Sequence, residues 1–405
     1  MMEELQLSLM NSDGYKPEAE IRPFLDQFES ENRCRIHVRM IPWETGRDEL
    51  VDIALHGKGP DISEIGTSWC SSFSAMEALR PFSPGELISM GGSSAFFPSA
   101  WQSGRLFGEN RMIAIPWLAS VRVLYYRRDL LEKAGVDEKT AFQSCSALVN
   151  TLERLKAGGI PIPLVLSTRT TIFPLLHSLA SWVWGAGGGF VSKDGTHTLF
   201  NRPETHAGIR AFLELSQFLS PQARGLDLYQ SEMCFWRGEA AISLSLQNPI
   251  LTTITKIANP NVAANLGVAS IPGGVPFIGG SNLVVWRHIP PAHEDLAIKL
   301  VRFLTGQQVQ RTYNTKINYF PTRLDVMQSP PFSTDEFHQI LMDGLKSGRS
   351  FPTITRWSIV EDRLTQVLSQ LWEDVSSQPD RDIDAIITDR LVPLANRLDN
   401  ILQSA

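Results

Sequence analysis

Cysteine is scarce in this chain, and its four copies, Cys34, Cys70, Cys145 and Cys234, show no C-x-x-C spacing. That argues against a disulfide framework or a zinc knuckle and for buried free thiols, with a Cys34–Cys70 bridge left open. The eight histidines include no H-E-x-x-H or other chelating pair. His288 and His293 flank a Pro-Pro turn and read as surface residues, so neither a metal nor a cofactor is expected. A basic surplus is missing too: 37 Lys and Arg stand against 43 Asp and Glu, a net charge of -6. A dedicated nucleic-acid binder would carry the opposite balance. No apolar run is long enough to span a membrane. The opening MMEELQLSLM has no basic region followed by an apolar core, so it does not read as a signal peptide. That leaves either a trimmed mature chain or a protein that stays inside the cell.

Catalytic signatures are equally thin. Gly185 to Gly189 follow a helix, and no Lys-Ser/Thr pair completes a phosphate loop. Ser71, Ser72 and Ser243 lack a nucleophile elbow. No eightfold β/α repetition, solenoid period or low-complexity segment is present. Composition alone leaves open a pair of carboxylates acting as a glycosidase.

What the chain does have is length, 405 residues, more than one core usually supports, so two lobes are expected. Its 43% hydrophobic and 20% charged residues are those of an ordinary globular protein. Ten tryptophans stand out, several beside Gly, Pro or Ser rather than inside hydrophobic periods. Aromatic faces on loops suit a carbohydrate, whose C–H faces pack on π-surfaces.

In order, Leu5 to Met10 alternates as a strand, and a helix from about Pro17 carries Ile21, Phe24, Leu25 and Phe28 on one face. Ile36, Val38 and Met40 form a second strand, ending in a loop Pro42-Trp43-Glu44-Thr45. A helix through Leu50, Val51, Ala54 and Leu55 closes near Gly57 and Gly59. Asp61 to Ile65 is a third strand, with Gly66-Thr67-Ser68-Trp69 as its loop. This β-α-β-α-β order predicts a parallel, doubly wound sheet with ligand loops at the strand C-termini. Ile113 to Gly135 then holds two extended runs joined by Pro116 to Ser120 without turn residues, as if the chain crossed between lobes there. Asp129 is placed to cap a short helix, and Gly135 to close it. A second β/α series follows. It has a Thr140-x-x-Gln143 capping box, strands over 162–166, 241–246 and 264–271, and helices over 172–184 and after Pro203. Gly279-Gly280-Ser281-Asn282 leads into a return strand, a striped helix starts at Pro291, and Asn318 to Pro321 is a third crossing. Helices near 359–372 and 383–402 complete the chain.

Several of these segments resemble one family. Ile115-Pro116-Trp117 with Val123-Leu124-Tyr125-Tyr126 to Gly135 is similar to the first hinge crossing of the extracellular solute-binding proteins of ABC sugar importers, of which maltose-binding protein is the familiar type. Trp182-Val183-Trp184-Gly185, Phe235-x-x-Gly238-x-Ala240-Ala241, Gly279-Gly280-Ser281 and Ala297…Phe303-Leu304 with Tyr319-x-Pro321 resemble four further motifs, in the family's order. The chain departs from the pattern in three places. Asn11-Ser12-Asp13 stands where a tryptophan or histidine is usual, Ile242 replaces a methionine, and an export signal is missing.

The resemblance implies an α/β, two-lobe, type II periplasmic-binding-protein fold, each lobe a central sheet flanked by helices, with the ligand in the cleft. It assigns residues 1–117 with 276–318 to one lobe and 118–275 with 319–405 to the other. Pro116 to Ser120, Gly273 to Gly280 and Asn318 to Pro321 would be the hinges. The implied function is a non-enzymatic, monomeric binder of a sugar, outside the cytoplasm if a leader was trimmed, partnered by ABC permease subunits and not by nucleic acid. A non-sugar solute, a sensory receptor of the same fold, or a carbohydrate-active hydrolase are the alternatives.

Strand-end position nominates Asn11, Asp13, Trp43, Glu44, Ser68, Trp69, Arg122, Gln247, Gly280 and Asn282 as ligand contacts, carboxylates, amides and guanidinium groups being the natural complements of hydroxyls. Motif context adds Trp117, Trp184 and Gly187, and Trp357 is a C-terminal candidate. Packing is the alternative for each tryptophan, capping for Asp13, and a plain strand position for Arg122.

Overall fold

The computed structural model describes residues 3–11, 17–109, 111–169, 175–245, 258–317, 319–334, 336–377 and 382–403. Asp13, Gln247 and Asn318 lie outside the described residues.

Among the described residues ten strands form two sheets: β1 Glu3–Asn11, β2 Cys34–Pro42, β3 Ile62–Gly66, β4 Ile115–Val121, β5 Val123–Arg127, β6 Leu164–Val165, β7 Ile242–Ser245, β8 Leu266–Ala269, β9 Ile278–Val285 and β10 Phe320–Pro321. The first sheet runs β10-β4-β9-β3-β1-β2 and the second β6-β7-β5-β8. β1, β2 and β3 are mutually parallel through β1, as the β-α-β-α-β order predicts, and β9 enters antiparallel between β3 and β4.

β1 is covered on both faces. Leu5, Leu7 and Leu9 are fully buried, and so are Ser8 and Met10 between them. The buried Ser8 hydroxyl is satisfied by Ser63 Oγ at 2.6 Å, across the strand pair. The helix Pro17–Asn32 lays Ile21, Phe24, Leu25 and Phe28 on this sheet, the stripe expected from its 3.6-residue spacing. One hydrophobic core surrounds the six-stranded sheet and a second the four-stranded sheet. The helices Trp357–Ser377 and Ile383–Gln403 pack on Leu175–Gly185 and Pro203–Leu213 in the second core.

Several local expectations are overturned. Trp43-Glu44-Thr45 is the first turn of the helix Trp43–His56 and not a loop, because extended Pro42 (φ -62°, ψ 139°) ends β2 immediately before it. Glu44 there complements the positive end of the helix dipole. The Thr140 capping box does not form: Ser144 caps the helix Cys145–Ala157, accepting from Ala147 N. Pro116 to Ser120 is the body of β4 and not a crossing; the chain changes sheet at the single residue Arg122, between β4 and β5. Likewise Gly279 and Gly280 belong to β9, and Phe320–Pro321 to β10. Asp129 sits in the first turn of Arg128–Lys133 rather than capping it, while Gly135 takes the left-handed conformation (φ 64°) that its closing role requires. All four cysteines are free thiols.

Candidate functional site

A cavity of about 640 Å³ lies where elements of the two sheets face each other. One wall comes from the six-stranded sheet: Trp43, Glu44, Arg47 and Asp48 from the first turns of Trp43–His56, and Gly66 to Trp69 from the end of β3 and the 3-10 turn after it. The opposite wall is His177 and the start of the helix Trp357–Ser377, with Ile359, Glu361, Asp362, Arg363, Thr365 and Gln366. The floor is Ser120, Arg122, Phe277, Gly279, Gly280 and Tyr319, all at or beside the places where the chain changes sheet.

Aromatic surface is present on both walls. Trp43 and Trp69 meet edge to face, 5.4 Å between centroids. Gly66 makes room for them: a Cβ there would stand 3.1 Å from the Trp69 ring and 3.5 Å from Trp43. Opposite, the His177 imidazole stacks on Phe277 at 4.7 Å, with its Nε2 3.1 Å from Glu361 Oε1. Behind Phe277 lie Trp184, Phe351 and Trp357 in successive contact.

Charge is arranged in layers. At the mouth, Arg47 Nη1 donates to Asp362 Oδ1 at 2.7 Å and joins the two walls. Burial works against the Arg47 charge, but the hydrogen bond and charge of Asp362, with Glu361 and Asp48, outweigh it and raise its pKa. At the floor, Arg122 is 4% exposed, and burial pushes its guanidinium down to about 10 against the pull of Glu232 and Tyr319. Burial also raises the Tyr319 phenol, helped by Glu64 and Glu232 and opposed by Arg122. Beneath this layer Glu64 is fully buried and is pushed up to about 7, although Ser281 Oγ (2.5 Å) and Met10 N (2.9 Å) both donate to it.

Of the residues nominated from sequence, the structure brings Trp43, Glu44, Ser68, Trp69, Arg122 and Gly280 to this cavity. It puts the others elsewhere. Trp117 is fully buried in the first core, stacked on Tyr313 at 5.3 Å. Asn282 is fully buried, donating to Ser103 Oγ at 3.1 Å and Cys70 Sγ at 3.2 Å. Trp184 and Trp357 form the layers behind Phe277, and Gly187 makes a turn (φ 83°) after Leu175–Gly185. Asn11, half-buried, pairs with Pro42 at the end of β1 and does not line the cavity. Asp13 and Gln247 are outside the described residues.

Arg47, Asp48, His177, Phe277, Tyr319 and the 359–366 turn were missed. Arg47 was legible in principle: with the helix started at Trp43, position i+4 falls on Trp43's face. Nothing local marks which turn of Trp357–Ser377 meets the first wall. Among the described residues no group of three His, Cys, Asp or Glu is placed to hold a metal, and no helix is long and apolar enough to cross a membrane.

The comparisons with known proteins agree with this architecture. The sugar-binding protein MalE of Xanthomonas citri superposes with a TM-score of 0.81 at 20% identity, covering 98% of this chain and 97% of that one. An ABC-transporter solute-binding protein of Thermotoga lettingae, solved with α-D-tagatose, also reaches 0.81 at 19% identity, covering 99% and 100%. These establish a MalE-type two-lobe fold. In sequence, a probable ABC transporter-binding protein of Deinococcus radiodurans is 27% identical over 255 residues, so the match spans 59% of that relative's length and 59% of this chain. The diacetylchitobiose-binding protein DasA of Streptomyces coelicolor is 23% identical over 371 residues, 88% of this chain and 82% of that one. The family model of the bacterial extracellular solute-binding proteins matches residues 24–339, and with most of its length inside that match this chain belongs to that family.

Proposed function

We propose that the chain is the substrate-binding component of an ABC importer, taking a sugar between its lobes and presenting it to a membrane permease. The observation that carries the reading is the cavity itself, with indole faces on one wall, an imidazole–phenyl stack on the other, and charged and amide groups between them. Apolar C–H faces and a ring of hydroxyls need that mixture. Both MalE and DasA carry a sugar in their names, which supports the assignment without transferring either ligand.

The lobes divide, on this reading, at Arg122, between β8 and β9, and after Pro321, a few residues from the divisions expected at 117, 275 and 318. Closure follows from differential binding: a ligand touching both walls stabilises the closed arrangement over the open one by whatever contacts only the closed state completes. The Arg47–Asp362 pair is one such contact within the protein. The protein acts as a monomer outside the cytoplasm and performs no bond chemistry, in keeping with relatives that are named as binding proteins.

A thermal-shift screen over mono- and oligosaccharides tests this. A sugar at a hundred times its dissociation constant adds about 2.7 kcal/mol of stability, a clear rise in Tm. Silence across the sugars, with a response to amines or metal ions instead, removes the sugar reading and leaves the fold intact.

A further inference from the structure

Among the described residues three arginines are more than nine-tenths buried: Arg122, Arg127 and Arg323. Two of them hold a carboxylate in a bidentate grip. Arg127 donates to both oxygens of Asp129 at 2.7 and 2.5 Å, and Arg323 to both oxygens of Asp325 at 3.0 and 2.7 Å. Arg122 differs. Among the described residues it forms no ion pair and no side-chain hydrogen bond, and its Nε is buried without a partner. It is also the one of the three that lines the cavity.

A buried guanidinium without an acceptor is costly, because its charge and its buried Nε–H have left water with no hydrogen bond in exchange. The acid whose charge acts on it, Glu232, accepts from Ser245 Oγ at 2.7 Å through Oε1, forms no ion pair with Arg122, and does not offset the burial. The two carboxylates of the far wall are engaged elsewhere, Asp362 with Arg47 and Glu361 with His177. Glu44 and Asp48 are exposed at the mouth, where water and salt screen them. Among the described residues no carboxylate is therefore bonded to Arg122 at the cleft floor, and its planar fork matches a carboxylate or phosphate in two parallel bonds.

We propose that the ligand is an anionic carbohydrate, whose carboxylate or phosphate pairs with Arg122 at the cleft floor while its sugar ring lies between the aromatic walls. The proposal rests on the sugar-binding reading above and narrows it. The shared chemistry is the oxyanion, and a uronic acid and a sugar phosphate are its two sources.

Calorimetric titration of the full chain decides between them. Gluco and galacto series are compared as neutral sugar, uronate and 6-phosphate, each as monosaccharide and disaccharide. Hydrogen bonds to a charged acceptor exceed those to a neutral one by enough that the charged member is expected to bind about tenfold tighter than its neutral partner in at least one series. Which charged member wins identifies the source. A neutral sugar binding as tightly as its charged counterparts, or tighter, overturns the anion and leaves the sugar reading standing. No binding in any series overturns both. Arg122→Gln is expected to bring the charged-to-neutral ratio close to one. Arg122→Lys, which keeps the charge without the fork, is expected to keep part of the preference and serves if the Gln variant does not fold. A folded variant of either kind that keeps the full ratio removes Arg122 from the site.

Discussion

Arg47 and Asp362 meet at 2.7 Å across the mouth of the cleft, one from the helix Trp43–His56 and the other from Trp357–Ser377. Their helices belong to different cores, so the pair exists only while the walls are close. Both side chains are about a third or more exposed, at 32% and 52%, so the interaction is solvated and modest. In the closure proposed above it would be a bias and not a lock.

A double-mutant cycle with Arg47→Ala and Asp362→Ala is expected to give a coupling of roughly 0.5 kcal/mol in ligand affinity, fading as salt is raised toward 1 M. Calorimetry on the wild type, both single variants and the double variant reads it. Strictly additive losses would show that the pair does not contribute to closure.

Trp69 and Trp117 separate binding from packing. Trp69→Ala removes a cavity-lining indole and is expected to weaken the responding sugar at least about tenfold, with a small change in Tm. Trp117→Ala empties a fully buried site against Tyr313, for an expected loss of about 3–5 kcal/mol by denaturant titration and little direct effect on affinity. The reverse pattern would mean the two tryptophans have been placed on the wrong sides of this division.

Gly280 cannot carry a side chain. Its φ is +124°, and a Cβ would stand 1.9 Å from Leu118 O, opposite the irregularity between Pro116 and Leu118 in β4. Gly280→Ala is expected to destabilise the fold by roughly 2–4 kcal/mol in urea titrations. Wild-type stability in the variant would show that β4 and β9 can separate without cost.

Glu64 makes stability depend on pH. Burial raises its carboxyl from 4.5 to about 7, so the folded chain holds a proton that the unfolded chain releases. The stability this proton provides is complete below pH 4.5 and is lost as pH rises through the folded value near 7. The slope is at most about 1.4 kcal/mol per pH unit. Glu64→Gln keeps an acceptor for Met10 N and a partner for Ser281 Oγ, and is expected to flatten the curve in that window. Denaturation midpoints at half-unit intervals from pH 4 to 8 for both proteins measure it; superimposable pH profiles would refute it.

The strands and helices around the first sheet were legible because their periods are local. Leu5, Leu7 and Leu9 alternate, Ile21, Phe24, Leu25 and Phe28 repeat at helical spacing, and all seven are buried as those periods require. The crossing was placed several residues early because Pro116 looks like a break. Yet β4 carries that proline in an irregular pairing with β9 and continues to Val121. Among the tryptophans, neighbours in sequence misled. Trp117 and Trp184 sit in family-like motifs but face the cores, since those motifs record how the lobes pack as much as what they hold.

By itself the sequence determined the class of the molecule: two α/β cores, a parallel βαβ start, and a chain that passes repeatedly between sheets. Each of these depends on patterns within about twenty residues, which backbone periodicity and turn chemistry encode directly. Only the tertiary structure decided the site. Trp43 and Glu361 lie more than three hundred positions apart, and His177 and Arg122 arrive from two further segments. Their convergence is set by how the second core docks the helix Trp357–Ser377 against the turn Thr67–Trp69, a packing of whole elements that no local pattern records. The same packing leaves Arg122 buried with no carboxylate bonded to it among the described residues, a fact about what surrounds the residue and not about the residue's identity.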